Sequence, residues 1–312
     1  MADILTITLN PAVDISTSVP RLAPEHKLRC TGERRDPGGG GVNVARVIHR
    51  LGGDVAAAFT SGGATGQRLQ QMLTSERLPQ LPLTIEQETR ESFTVLETET
   101  HREYRFVLPG PHLSAPELRD ILQRLAGAMA GARFVVCSGG LTPGAPAKTY
   151  AQLARMAATA GARFVLDSSG EALQAAVAQG VYLVKPSLSE LQQLAGRALS
   201  DLSEIETAAR KVIDAGKAEI VAVSLGARGA LVATRDGVMR AEALAVNVAG
   251  SVGAGDSFLG AMIWSLAASE DVERALRFAV GASAASLQTS GTQLCTRADA
   301  LRLAEQVKIA RS

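Results

Sequence analysis

Apolar and polar positions follow two regimes along this chain. In the first third the apolar runs are short and broken. ILTITL (4–9) is a β-branched run that stops at Asn10-Pro11, and segments near 14–19 and 28–34 follow, each interrupted by proline or charge. SFTVLET (92–98) and EYRFVL (103–108) alternate apolar with polar residues around a polar turn, which predicts a hairpin. From about residue 114 the pattern changes. Apolar runs at 133–137, 163–167, 181–184 and 219–224 alternate with stretches at 146–160, 170–179, 187–196 and 202–215, where apolar residues recur at helical spacing. Strands alternating with helices predict β-α-β units, hence a doubly wound α/β fold: a mostly parallel sheet with helices on both faces. The stretch from Gly253 to Ile309 reads as three helices. The irregular strands drawn from about 14–34 and 90–108 read as a small β-sheet lid inserted in a single domain spanning 1–312. Ligands of an open parallel sheet bind beyond the carboxyl ends of its strands, so the chemistry is sought there.

Composition narrows the function. Over 312 residues, 46% are hydrophobic and 20% charged, which suits a globular chain with a sizeable core. Lysine plus arginine total 32 and aspartate plus glutamate 31, so bulk electrostatics draws no polyanion and no nucleic-acid partner is expected. A small anionic substrate needs only a local basic cluster. Cys30, Cys137 and Cys295 lie far apart without C-x-x-C spacing, and the four histidines lack metal-ligand spacing. A zinc or disulfide framework is therefore not expected, and a reducing, cytoplasmic setting is. The start, MADILTITLNP, lacks a basic segment followed by an apolar one, and no apolar run approaches the ~20 residues of a membrane span. No G-x-x-x-x-G-K-[ST], G-x-S-x-G or H-E-x-x-H motif occurs.

Four glycine- or serine-bearing segments carry the candidate chemistry. Pro37-Gly38-Gly39-Gly40-Gly41-Val42-Asn43-Val44-Ala45-Arg46 leads into an amphipathic helix. Residues without Cβ atoms let a ligand approach the backbone, and free N–H groups at a helix start favour an anion or hydroxyl. It is not a dinucleotide fingerprint, because no strand is read directly before it and no acid follows at the required distance. Val252-Gly253-Ala254-Gly255-Asp256-Ser257 opens an apolar helix and would place an anion pocket and a carboxylate within one turn; a plain aspartate N-cap also fits these residues. Ser224-Leu225-Gly226-Ala227-Arg228-Gly229 follows a strand and suits either a nucleotide-cradling loop or a simple turn. Lys185-Pro186-Ser187-Leu188-Ser189-Glu190 ends another strand. Ser187 and Glu190 share a helix face and could reach a hydrated Mg²⁺, and they equally match an S-x-x-E capping box.

Together with TLNPAVD near the start, these segments resemble the ribokinase-like (PfkB-type) carbohydrate kinase family over essentially the whole chain. EHKLRC (25–30), GGATG (62–66), REYRFVLPG (102–110), DSSGEAL (167–173) and GTQLC (291–295) carry a closer resemblance to the minor bacterial 6-phosphofructokinase branch. The resemblance implies ATP-dependent phosphorylation of fructose 6-phosphate at its 1-hydroxyl. Asp256 is implied as base, with Gly253, Ala254 and Gly255 as the anion hole. Asp14, Gly38, Gly39, Asn43 and Gly140 are implied at the sugar, Arg90 and Arg105 at its 6-phosphate, and Lys27 between substrate and nucleotide phosphates. Lys185, Ser187, Ser224, Gly226 and Gly229 are implied at ATP, and Glu190 in the Mg²⁺ water shell. Backbone carbonyls around Gly250, Val252, Ser286 and Gly291, within loops 250–252 and 286–293, are implied for K⁺. A homodimer clasped through the lid is implied as well.

The chain departs from the family at named positions. Ser187 stands where the N-x-x-E motif carries asparagine, and Gly140 where relatives carry serine. Asn10 resembles the fructose-1-phosphate and tagatose-6-phosphate kinases, whereas Gly40 replaces the lysine those relatives usually carry. Those two acceptors remain the alternative substrates. A non-catalytic sugar-phosphate or nucleotide sensor is the alternative from another class, and a base beside an anion hole argues against it.

Overall fold

The computed structural model describes residues 2–289, 291 and 293–311. The first apolar run becomes β1 (Ile4–Thr8), buried throughout, and the chain turns at Asn10-Pro11 into β2 (Ala12–Val19). β3 (Thr31–Gly38) runs into α1 (Gly40–Arg50), followed by β4 (Val55–Ser61), α2 (Gly63–Ser75) and β5 (Gln80–Thr84). β6 (Arg90–Glu97) and β7 (Arg102–Val107) form the antiparallel hairpin expected from their alternation. Next come α3 (Ala115–Met129), β8 (Phe134–Ser138), α4 (Thr149–Thr159), β9 (Arg163–Asp167), α5 (Gly170–Gln179), β10 (Val181–Val184), α6 (Leu188–Ala195), α7 (Leu202–Asp214) and β11 (Ala218–Ser224). A single 3-10 turn at Gly226–Arg228 leads to the hairpin β12 (Ala230–Thr234) and β13 (Gly237–Ala241). The chain closes with α8 (Ala254–Ser269), α9 (Val272–Leu287), α10 (Arg297–Ala304) and β14 (Ile309–Arg311).

Among the described residues ten strands form one sheet in the order β14-β13-β12-β11-β10-β9-β8-β1-β4-β5. From β11 to β5 neighbouring strands are parallel; β12, β13 and β14 extend the sheet antiparallel. The doubly wound fold expected from the sequence is the one observed. Successive residues of one strand serve opposite cores. In β8, Val135 and Cys137 pack with α3 to α7, while Phe134 and Val136 pack with α1, α2, α8 and α9. Both faces are covered, which is why these strands read as unbroken apolar runs. The winding reverses at β1: the chain goes outward through β4 and β5, then returns to start again at β8 on the other side. Such a switch opens a crevice at the carboxyl ends of β1 and β8.

The small sheet has the order β3-β2-β6-β7, with β2 and β6 parallel and the outer pairs antiparallel. It reaches slightly beyond the expected limits, from Ala12 and as far as Gly38. This corrects one reading of the glycine run: a strand does lead directly into it. β3 (TGERRDPG) is an edge strand whose first residues are solvated, so no apolar period marks it. It belongs to the lid and pairs antiparallel, so the segment is still no β-α-β dinucleotide unit. The apolar pattern does not announce β4, α2, β5, β13 or the closing β14 either. VAAAFTS has a helix-like composition in a buried strand, and α2 buries only Gly66, Leu69 and Leu73.

Candidate active site

The apolar helix α8 is wedged between α1, α9 and the sheet. Its N-cap is Gly253, at φ +80°, and its first hydrogen bond runs from Ser257 N–H to Gly253 C=O at 2.8 Å. The N–H groups of Ala254, Gly255 and Asp256 in that first turn have no intrahelical acceptor and sit at the positive end of the dipole. Asp256 is therefore not the N-cap; its side chain makes no capping bond and accepts instead from Asn43 Nδ2 at 2.9 Å. Close packing one turn further on sets this contact. A Cβ on Gly260 would fall 2.8 Å from Val47 Cβ, so α1 and α8 touch where no larger residue fits.

A cavity of about 400 Å³ opens at the switch crevice. It is lined by Gly39, Gly40 and Asn43 from the glycine run, Ser138, Gly139 and Gly140 after β8, and Asp167 at the end of β9. Asp14, Arg90 and Arg105 enter from the small sheet, and Val252, Gly253, Gly255 and Asp256 from the α8 tip. Asp14 and Asp256 are half-buried acids facing one space. Burial pushes each carboxyl up to about 6; Asp167 adds to the rise at Asp256, and Arg105 with Arg90 opposes it at Asp14. Both are thus tuned towards the range where a carboxylate is a useful base. Arg90 also donates to the carbonyls of Leu108 (2.6 Å), Asn10 (3.1 Å) and Pro11 (3.4 Å), which ties the small sheet to the turn after β1. Gly38 lies beside Asp14, where any Cβ would collide with the carboxylate, but it does not line the cavity. A Cβ on Gly140 would meet open space.

A second cavity, about 280 Å³, lies on the other side of the α8 tip. Ser224, Gly226, Gly229, Ala243, Phe258 and Leu287 are among its lining residues, and it shares Ser251 and Gly255 with the first. Buried Lys185 sits beneath this junction. Its ammonium pairs with Asp167 at 3.1 Å and would lie 3.7 Å from a Cβ on Gly255. Burial works to discharge Lys185, but the Asp167 carboxylate together with Asp256 and Glu190 outweighs it and holds the ammonium charged. Ser187 and Glu190 form the full capping box of α6: Glu190 N–H donates to Ser187 Oγ (3.3 Å) and Ser187 N–H to Glu190 Oε2 (2.7 Å). Glu190 nonetheless lines the first cavity, whereas Ser187 lines neither.

Lys27 is not brought to either cavity; it stands exposed on the loop between β2 and β3. The loops expected at a monovalent cation do converge. A Cβ on Gly250 would fall 3.0 Å from the Thr289 carbonyl and 3.6 Å from Gly291 N, and buried Ser286 Oγ lacks a partner. Ser290 and Thr292 of the same stretch lie outside the described residues. Residues given no site role by the sequence also line the site, among them Asp167, Ser138 and Ser251. Asp167 had a usable signal, since it ends a strand of the parallel sheet.

The model of the pfkB family of carbohydrate kinases matches residues 2–299. ATP-dependent 6-phosphofructokinase isozyme 2 of Mycobacterium tuberculosis is 43% identical over 97% of this chain and 89% of its own length. The Escherichia coli isozyme 2 is 40% identical over 97% of this chain and 98% of its own. Crystal structures of Escherichia coli phosphofructokinase-2 in complex with potassium, in complex with fructose-6-phosphate, and as a tetrameric inhibited form superpose with TM-scores of 0.93, 0.92 and 0.91. Their identities are 39%, 38% and 39%, and each comparison covers 98% of this chain and 99% of the other.

Proposed function

The chain belongs to the pfkB family of carbohydrate kinases, and from that premise we propose that it transfers the terminal phosphoryl group of ATP to the 1-hydroxyl of fructose 6-phosphate. One observation carries the reading: two cavities, one lined by acids and arginines and one by a glycine turn, meet at the amide-rich tip of α8 beside Asp256.

In this reading Asp14 and Asn43 orient the sugar hydroxyls, and Arg90 and Arg105 face the 6-phosphate. Asp256 takes the proton of the 1-hydroxyl as its oxygen bonds to the γ-phosphorus and the bond to the β,γ-bridging oxygen breaks, releasing ADP. The N–H groups of Ala254, Gly255 and Asp256 and the Lys185 ammonium offset the charge on the phosphoryl oxygens. Ser224, Gly226 and Gly229 cradle the nucleotide. Mg²⁺ suits the oxygen donors of the first cavity, Glu190 and Asp167, and when bound it would supply charge neutralisation on the phosphates. Among the described residues no three His, Cys, Asp or Glu side chains converge as a metal cage, so its remaining ligands would be water and phosphate. The converging loops at Gly250, Val252, Ser286 and Gly291 are the proposed seat of a monovalent cation.

A second copy of the chain is the proposed cover for the lid, whose Phe93 and Phe106 stand exposed as a cross-strand pair. All three cysteines are free, and no helix among the described residues is long and apolar enough to cross a membrane. A cytoplasmic setting is proposed on the free thiols.

A turnover assay with ATP on fructose 6-phosphate, tagatose 6-phosphate and fructose 1-phosphate tests the substrate, with Asp256→Asn testing the base. Fructose 6-phosphate is expected to give the highest kcat/KM, and the variant to bind sugar while losing roughly 10²–10⁴-fold in kcat. Preference for fructose 1-phosphate, or near-normal turnover by the variant, overturns the reading.

A further inference from the structure

Asp256 depends on a chain of contacts that begins at Glu76, 30 residues beyond Arg46 in sequence. Arg46, on α1, is only 2% exposed. Its guanidinium forks onto Glu76, at the end of α2, through Nε (2.9 Å to Oε2, 3.1 Å to Oε1) and Nη2 (2.6 Å to Oε1). Its remaining terminal nitrogen, Nη1, reaches the Pro37 carbonyl at 3.1 Å and Asn43 Oδ1 at 3.3 Å. Asn43 Nδ2 then donates to Asp256 Oδ2 at 2.9 Å.

We propose that Arg46, held in place by Glu76, is a positioning residue for Asp256: it fixes which end of the Asn43 amide faces the base. The argument rests on Asp256 being that base. A guanidinium has donors and no acceptor, so only the oxygen end of the amide can face it. The nitrogen end must then face the carboxylate. Turning the amide over would set N–H against N–H on one side and oxygen against oxygen on the other, two repulsive contacts in place of two bonds.

Stability alone is a weak reason for this arrangement. Burying an ion pair in a helical core is often no better than burying apolar side chains of similar volume. The same Nη1 also ties Pro37, just before the glycines, to α1, so the loop and the amide share one anchor. The groups facing Asp256 explain why a fixed donor matters. Asp14 from β2 and Asp167 from β9 repel its charge, Lys185 after β10 attracts it, and Asn43 from α1 supplies its hydrogen bond. Losing that donor leaves burial and two carboxylates less opposed, and the base keeps its proton to higher pH.

The test compares Arg46→Lys and Glu76→Gln, each alone and in an Asn43→Ala background, with Asp256→Asn alongside. Lysine keeps the charge without the fork; glutamine keeps the shape without the charge. Each single variant is expected to lower kcat about 10- to 100-fold, the scale of a misplaced catalytic group, with KM for ATP within about twofold and the acid limb of kcat moved to higher pH. In the Asn43→Ala background neither change should move kcat or the limb further. Thermal unfolding is followed in parallel, and if Arg46→Lys does not fold, Glu76→Gln carries the test. Folded single variants with unchanged kcat and acid limb would reduce the pair to a structural one. Full additivity with Asn43→Ala would mean that Arg46 acts by another route. Near-normal turnover by Asp256→Asn would instead remove the base, a failure visible independently of Arg46.

Discussion

Asp14 and Asp256 have opposite consequences for activity and for stability as pH changes. Each carboxyl is raised to about 6, with burial as the leading cause. A base must be ionised to accept a proton, so kcat/KM is expected to fall as pH drops through about 6. Because both acids must be ionised in this reading and each is raised to about 6, the fall should steepen towards two protons below it. Stability moves the other way. An aspartate held above its unfolded value of 3.8 binds more protons in the folded than the unfolded chain between those two values. These two groups therefore oppose folding above about pH 6 and stop opposing it as pH falls towards 4. A pH–rate profile and unfolding curves over pH 7 to 4 check both signs, and Asp14→Asn should leave a single-proton limb. Legibility also differs residue by residue. Asp256 shows in the sequence because its anion hole is its immediate neighbour. Arg46 stands in a visible motif, but its partner Glu76 lies on the next helix and carries no local mark. Lys27 is placed at the phosphates only by the resemblance; in the fold it stands on an exposed loop and lines neither cavity.

At the scale of elements, the α8 tip depends on Gly253. Its φ of +80° is strained for any residue with a side chain, and a Cβ there would sit 2.5 Å from Leu294 Cδ2. Gly253→Ala is expected to cost about 1–2 kcal/mol of stability from the left-handed backbone, read by denaturant unfolding. It should also lower kcat more than it raises KM for the sugar, because the free N–H groups point differently while Asp14 and the arginines stay in place. An unchanged kcat would mean that the tip does not hold transferring charge. The same contrast explains which elements the sequence reveals. β8, β9, β10 and β11 are covered on both faces and read as continuous apolar runs between helical stretches. β3 and β5 lie at sheet edges and carry proline; the segment near 28–34 announces only the start of β3, and no local period announces β5. The bipartite site needs both kinds, since β3 delivers the glycine run and β11 the nucleotide turn.

The whole molecule adds a constraint that neither residue nor element contains. The small sheet faces two ways. Alternation along β2, β6 and β7 puts Asp14, Thr94 and Arg105 on the side of the first cavity and Ile15 and Phe106 on the other face; Phe93, the cross-strand partner of Phe106, also borders the cavity. Phe93 is 36% and Phe106 51% exposed, an unusual setting for two paired aromatic rings. Removing such a ring from water contributes about 1.5–3 kcal/mol, and a two-fold pairing of lids would count each ring in both copies. The lid carries part of the sugar site, and Arg90 is one of its ties to the body, through the Asn10 and Pro11 carbonyls. A lid braced from outside would therefore hold Asp14 and Arg105 over the crevice. Phe106→Glu places a charge where the second copy's lid would press. It is expected to convert a dimer to monomer in light scattering and to raise KM for fructose 6-phosphate roughly tenfold, while KM for ATP changes little because Ser224, Gly226 and Gly229 belong to the body. A chain that stays dimeric with Glu at this position would place the contact elsewhere. Loss of assembly with KM for the sugar unchanged would show that the lid holds its own shape over the switch crevice, and that the second copy serves stability alone.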